Sequence, residues 1–302
     1  MNQKTKMQNW RDITLNARDG ITLYGRHYPA TRSWHHSIRR RPVLCLAGLT
    51  RNSRDFHVLA TALSNAETNA RDVYTFDCRG RGLSEYAPSW KDYIPPIEML
   101  DVQDFMASQN LHHVGLIGTS RGGLIAMLIA SDQPSLIGTV ILNDIGPIID
   151  PLSLIRMGNS IGKTSIPRTW NAATEYLKQT NSHLLPEVSD AEWADIARQW
   201  FNEKDSRPAP GYDPTIARTF SFDTSDIPEL WPQFMALKRI PCLVIRGALS
   251  DFLSEATAAQ MCSRHPRCTT ITVRDQGHAP LLRDAPTIME IANFLTETDP
   301  PN

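Results

Sequence analysis

Short apolar runs rich in β-branched residues recur along most of this chain and alternate with longer segments of helical spacing. Each run has the length and branching of a buried strand. The predicted strands lie at residues 43–46, 73–76, 113–117, 140–142, 242–245 and 270–273. The predicted helices lie at residues 55–63, 97–108, 124–129 and 286–295. This alternation predicts an α/β fold with a mostly parallel sheet and helices on both faces.

Two segments depart from the alternation. Residues 13–17 and 21–28 flank Asp19-Gly20, a pair typical of a β-hairpin. The segment 147–237 is rich in helix formers, has no convincing strand, and contains four of the seven tryptophans. Insertions after the carboxyl end of a strand overhang the edge where active groups of such sheets gather. We therefore predict a core formed by residues 1–146 and 238–302, and a helical lid at 147–237.

Composition narrows the class of protein. The 31 basic and 32 acidic residues nearly cancel, which gives no electrostatic reason to expect nucleic acid or an anionic membrane as a partner. The first ten residues lack the apolar segment of a signal peptide, and no apolar run is long enough to span a bilayer. The five cysteines form no C-x-x-C pair. We expect a cytoplasmic protein that acts on a small molecule without cofactor or metal, and its oligomeric state stays open.

The residues 118–123, G-T-S-R-G-G, stand between a predicted strand and a predicted helix. A G-x-S-x-G in this context is typical of a nucleophile elbow, a sharp turn that exposes the serine hydroxyl above a helix N-terminus. The glycines are needed because side chains beside so tight a turn would clash. Ser120 is therefore the candidate nucleophile.

A serine nucleophile needs a base, and the base needs a carboxylate to orient it. His278 follows the last predicted strand in a loop and is the candidate base. Two carboxylates follow strands in the required order, Asp251 and Asp144. We favour Asp251 as the acid and keep Asp144 as the alternative.

An oxyanion needs two backbone donors. The amide of Arg121, directly after the serine, is one candidate, and the amide of Leu49, in the turn after the strand at 43–46, is the other. Arg51 and Asn52 follow that turn and are candidate substrate-binding residues. A guanidinium there would bind a substrate carboxylate, unless Arg51 instead pairs with Asp55 or Asp77 to fix the loop.

Four segments together resemble the α/β-hydrolase fold superfamily, over essentially the whole chain outside the predicted lid. They are the elbow at 118–123, D-C-R-G-R-G-L-S at 77–84, the segment 246–251, and G-H-A-P at 277–280. The resemblance implies an eight-stranded-type sheet. One departure is Ala47-Gly48, where the family often has His-Gly.

The expected function is that of a serine hydrolase that cleaves a small-molecule carboxylic ester, in the manner of an esterase or lactonase. The same residues would serve a C–C bond hydrolase of the meta-cleavage-product type, a cofactor-free perhydrolase or an acyltransferase. A non-enzymatic small-molecule receptor on the same fold is an alternative of a different class.

Overall fold

The computed structural model describes residues 9–31, 40–163, 166–220 and 229–300. Its strands are β1 (Arg11–Asn16), β2 (Thr22–Tyr28), β3 (Val43–Leu46), β4 (Val73–Asp77), β5 (Val114–Thr119), β6 (Ile137–Asn143), β7 (Asn202–Lys204), β8 (Arg207–Ala209), β9 (Cys242–Gly247) and β10 (Cys268–Val273). Within the described ranges, eight of them form one sheet in the order β1-β2-β4-β3-β5-β6-β9-β10. β1 and β2 form the predicted antiparallel hairpin, and β2 is antiparallel to β4.

The remaining neighbours in this sheet are parallel. β3 pairs with β4 and β5, β6 pairs with β5 and β9, and β10 pairs with β9. Every residue of β3 and β6 is buried, because both faces of these central strands are covered. The predicted fold class, a mostly parallel sheet of the α/β-hydrolase type with helices on both faces, is confirmed.

The helices are α1 (His57–Ser64), α2 (Pro95–Ser108), α3 (Arg121–Asp132), α4 (Pro151–Ser160), α5 (Trp170–Asn181), α6 (Asp190–Trp200), α7 (Trp231–Ala236), α8 (Glu255–Arg264) and α9 (Ala285–Glu297). One apolar cluster joins the sheet to α2, α3, α7 and α8, for example through Phe105, Ile125, Phe234 and Met261. A second cluster joins it to α1 and α9, for example through Leu59 and Ile291. These two clusters place helices on opposite faces of the sheet.

The segment between β6 and β9 holds α4 to α7 and also a small antiparallel hairpin of β7 and β8. The prediction that this segment has no strand is therefore wrong. Helices α5 and α6 share an apolar cluster of their own that includes Leu177 and Trp193. Helix α7 instead packs into the main core through Phe234.

Cys45 and Cys242 are fully buried in strands, where they pack as small core residues. No helix in the described ranges is both long enough and apolar enough to cross a membrane.

Candidate active site

Ser120 occupies a sharp turn between β5 and α3. Its backbone has φ 50° and ψ −112°, a region that residues with a side chain rarely adopt. A Cβ on Gly118 would lie 2.5 Å from the backbone of Gly122, and a Cβ on Gly122 would lie 2.2 Å from the carbonyl oxygen of Leu46. The two glycines therefore allow the close packing that holds the serine in this conformation.

His278 contacts the serine directly. Its Nε2 lies 2.9 Å from Ser120 Oγ, a hydrogen-bond distance. The imidazole stacks on the ring of Phe252, with centroids 3.9 Å apart and planes at 14°. This stacking leaves the ring little freedom to turn away from the hydroxyl.

Asp144 is the carboxylate that reaches the other side of the imidazole. Its Oδ2 lies 2.8 Å from His278 Nδ1. The same oxygen accepts a hydrogen bond from Ser250 Oγ, and Oδ1 accepts one from the amide of Gly247 at 2.9 Å. The Asp144 side chain is fully buried, so it is fixed from three sides.

The preference for Asp251 over Asp144 is corrected by this arrangement. Asp251 Oδ2 lies 2.5 Å from Arg156 Nη2, and the two side chains are 43% and 58% exposed. Asp144 directly follows β6, the strand next to the one that leads to Ser120. Asp251 lies farther along the loop after β9, in which Ser250 takes the inward position beside Asp144.

The two candidate oxyanion donors belong to segments next to Ser120. A Cβ built on Gly48 would be 3.8 Å from Ser120 Cβ, so the turn that carries Leu49 passes close to Ser120. Arg121 is the first residue of α3, where backbone amides lack partners within the helix and the dipole favours an anion. Its side chain lies elsewhere, with Nε 2.7 Å from Glu98 Oε2.

The two candidate substrate-binding residues differ in their surroundings. Arg51 lines the same cavity as Ser120, but its Nε and Nη2 donate to Asp55 at 2.7 and 2.6 Å. Its guanidinium carbon also lies 3.2 Å from the ring centroid of Trp200. Arg51 thus supports the loop through Asp55, which was the alternative interpretation.

Asn52 is fully buried, and its side-chain amide forms hydrogen bonds with backbone groups of the protein. Nδ2 donates to the carbonyl oxygen of Gln199 at 2.9 Å, and Oδ1 accepts from the amide of Arg54 at 3.1 Å. Arg54 Nε also donates to the Gln199 carbonyl, at 3.0 Å. The structure places Asn52 between the loop and the end of α6, and it does not support a substrate contact for this residue.

A cavity of about 630 Å³ opens above Ser120 and His278. Its size falls within the range of small-molecule sites. The inserted segment contributes many of its walls, including Met157, Ile161, Tyr176, Leu184, Trp200 and Tyr212. Within the described part of the chain, no cluster of histidine, cysteine and acidic residues is arranged to hold a metal ion.

Sequence patterns gave no signal for Phe252, Arg156 or Arg283, which also line this cavity. Arg283 lies 3.7 Å from Glu192 and 4.0 Å from Asp195 at its closest nitrogen–oxygen distances. These ion pairs are long, in contrast to the short pair of Arg51 with Asp55, and Arg283 Nη1, like Arg51 Nη1, is a buried nitrogen without a hydrogen-bond partner among the described residues. Isolated arginines in loops are common, so only the folded structure distinguishes this one.

Residues 43–289 match the model of the alpha/beta hydrolase family, and the chain belongs to that family. It is 32% identical over 290 residues to a 3-hydroxybutyrate-oligomer hydrolase from Cupriavidus necator, an alignment that covers 91% of this chain and 95% of that protein. A crystal structure of an alpha/beta hydrolase from Novosphingobium aromaticivorans is 35% identical, with a TM-score of 0.87 over 96% of this chain and 99% of that one. E-2-(acetamidomethylene)succinate hydrolase shares the fold at 21% identity, with a TM-score of 0.75 over 95% of this chain and 100% of that one.

Proposed function

We propose that this protein hydrolyses carboxylic esters of small molecules through an acyl-enzyme on Ser120. The observation that carries the proposal is the hydrogen-bond series from Ser120 Oγ to His278 at 2.9 Å and from His278 to Asp144 at 2.8 Å, at the base of a cavity. His278 takes the hydroxyl proton as Ser120 attacks the carbonyl carbon. Asp144 holds the imidazole and stabilises its charged form.

The attack creates an oxyanion, which the amides of Leu49 and Arg121 receive. The tetrahedral intermediate collapses as His278 returns the proton to the departing alcohol. His278 then removes a proton from water, which attacks the acyl-enzyme. The second tetrahedral intermediate collapses as His278 returns that proton to Ser120 Oγ, which releases the acid and restores the enzyme. No cofactor enters any of these steps.

The inserted segment serves as a lid over the site. Its helices α4 and α5 and the end of α6 supply cavity walls opposite Ser120. Apolar walls with a few polar groups suit recognition of an acyl chain. We assign substrate preference to this segment and the chemistry to the core.

A second, narrower candidate is the cleavage of short oligoesters of a hydroxy acid. The chain of such an oligoester would end in a free carboxylate. The name of the Cupriavidus necator relative supports this candidate. Arg283 supports it independently, because it lines the cavity and its ion pairs to Glu192 and Asp195 are long. A guanidinium with weak partners can bind a carboxylate end-on or with two hydrogen bonds.

The test is a panel of p-nitrophenyl esters and 3-hydroxybutyrate dimers and trimers, with wild type and Ser120→Ala. We expect multiple turnovers by wild type, none by the variant, and a single fluorophosphonate label at Ser120. Turnover retained in Ser120→Ala, or labelling at another serine, would refute the mechanism. A wild type that is labelled but hydrolyses no ester would favour another reaction or a receptor.

A further inference from the structure

A buried ionic network lies behind the proposed oxyanion site. The carboxylate of Glu98, on α2, is fully buried and lies between two arginines. Oε1 is 2.6 Å from Arg81 Nη1, and Oε2 is 2.7 Å from Arg121 Nε. One negative charge thus meets two positive charges, and the three side chains together carry a net positive charge.

Each arginine of this network is connected to one of the two residues that supply the proposed oxyanion donors. Arg81 Nε donates to the carbonyl oxygen of Leu49 at 2.7 Å. Arg121 directly follows Ser120, and its Nη2 donates to the carbonyl oxygen of Tyr93 at 2.9 Å. The residues that supply the two proposed oxyanion donors are therefore held by arginines that meet at Glu98.

We propose that Glu98 is a positioning residue that sets the places of the Leu49 and Arg121 amides around the oxyanion. This inference rests on the proposed ester hydrolysis. Without the carboxylate, Arg81 and Arg121 would repel each other at close range and draw apart, and the backbone bonded to each would move with it. Oxyanion donors act only when they lie at hydrogen-bond distance from the place where the charge develops, so small shifts cost rate. The net positive charge of the network also favours the oxyanion.

The chain offers a matched control on the same helix. Asp101 lies 2.6 Å from Arg79 at Nη2, and these side chains are only 1% and 2% exposed. The pair is as buried as the Glu98 network. The Arg79 side chain, however, bonds to Asp101 and Asp19, which are not part of the oxyanion turn. The two pairs adjoin, because Arg81 Nη1 donates to the backbone carbonyl oxygen of Arg79 at 2.7 Å. Asp101→Asn thus perturbs the neighbouring buried pair but keeps the side-chain contacts of Glu98 with Arg81 and Arg121.

The experiment compares Glu98→Gln with Asp101→Asn on one p-nitrophenyl ester. We expect Glu98→Gln to lower kcat by about 10- to 100-fold, approaching the loss of one oxyanion donor, with little change in KM. The affinity for a trifluoromethyl ketone, whose adduct with Ser120 mimics the oxyanion, should fall in parallel. The pH profile of kcat should keep its shape, because His278 and Asp144 are untouched. Asp101→Asn should lower the melting temperature while kcat and ketone affinity stay near wild type.

A folded Glu98→Gln whose kcat and ketone affinity match those of Asp101→Asn would overturn the proposal. If Glu98→Gln does not fold, Arg121→Gln takes its place. It leaves the Glu98–Arg81 pair intact and removes a side chain that is 16% exposed. It should lower kcat and ketone affinity together, and unchanged values of both would contradict the proposal.

Failure of the proposed ester hydrolysis would give different results from failure of the Glu98 proposal. If wild type hydrolyses no ester, the proposed function fails, and the rate of fluorophosphonate labelling then tests the network, because the phosphyl adduct uses the same donors. Slower labelling of Glu98→Gln than of Asp101→Asn would support the positioning role, and equal rates would refute it. A wild type that neither turns over esters nor reacts with the probe would overturn both proposals.

Discussion

Asp144 and His278 meet side chain to side chain, with 2.8 Å between Oδ2 and Nδ1. Hydrogen bonds from Ser250 Oγ and the Gly247 amide hold the same carboxylate. The Asp144 carboxylate is therefore fixed by the loop after β9, although Asp144 itself directly follows β6. This arrangement orients the imidazole toward Ser120 before any substrate arrives.

Asp144→Asn should reduce kcat/KM for a p-nitrophenyl ester by roughly 10⁴-fold, as expected when the imidazole loses the carboxylate that orients it. Asp251→Asn is the matched control. Its carboxylate lines the cavity but pairs with Arg156, whereas His278 pairs with Asp144, so activity should stay within about threefold of wild type. The opposite ranking would assign the acid role to Asp251.

Arg283→Gln should raise KM for a 3-hydroxybutyrate trimer by about tenfold, because a charged hydrogen bond to the terminal carboxylate is lost. The KM for the corresponding methyl ester should change little. Arg51→Gln should affect both substrates equally, since the Arg51 charge is already paired with Asp55. Steady-state kinetics on the two substrates would distinguish these outcomes, and equal effects of Arg283→Gln would exclude its contact with a carboxylate.

Met157→Ala should shift the preferred acyl chain of p-nitrophenyl esters toward longer chains, because it removes a side chain from the cavity wall. Met289→Ala on α9 is the control, since that side chain is exposed at the surface. The measurement is kcat/KM over a series from acetate to decanoate. An unchanged preference in a folded Met157→Ala would mean that this part of the lid does not contact the acyl chain.

The stability of the protein should depend on the ionisation of Glu98 at acidic pH. Burial opposes the charged form of Glu98, but Arg121 and Arg81 outweigh burial and lower its pKa from the usual 4.5 to about 2. Because the unfolded chain binds this proton more readily, the stabilisation is complete above pH 4.5 and declines as the pH falls toward 2.

Thermal unfolding of wild type and Glu98→Gln between pH 6 and pH 2.5 would measure this contribution. The difference in melting temperature between the two should be constant near neutral pH and shrink below about pH 4.5. A difference that is independent of pH would show that Glu98 acts through packing and not through its charge.

Hydrophobic periodicity was enough to predict most strands and helices of the core, because buried parallel strands must be apolar on both faces. The elbow could be predicted because so tight a turn leaves no room for side chains at the glycine positions. The carboxylate that contacts His278 could not be predicted, since Asp144 and Asp251 both follow strands. Only the folded course of the loop after β9 places Ser250 against Asp144 and leaves Asp251 to pair with Arg156. The β7–β8 hairpin has too few apolar residues for a strand pattern.

Sequence patterns likewise gave no signal for the ionic network of Glu98, Arg81 and Arg121. Charged residues are expected at the surface, so Glu98 and Arg81 would be assigned to exposed positions. Their contacts with each other, with Arg121 and with the Leu49 carbonyl permit their burial, and contacts between residues far apart in the chain are not visible in a local pattern.

The order of the site residues along the chain has a consequence for synthesis. Ser120, Asp144 and both proposed oxyanion donors precede the inserted segment, whereas His278 follows it and β10. A nascent chain therefore exposes a serine without a base while the ribosome translates the insertion. The proposed esterase activity should appear only after β9 and β10 have joined the sheet, so the growing polypeptide should be inert toward esters until β10 is in place.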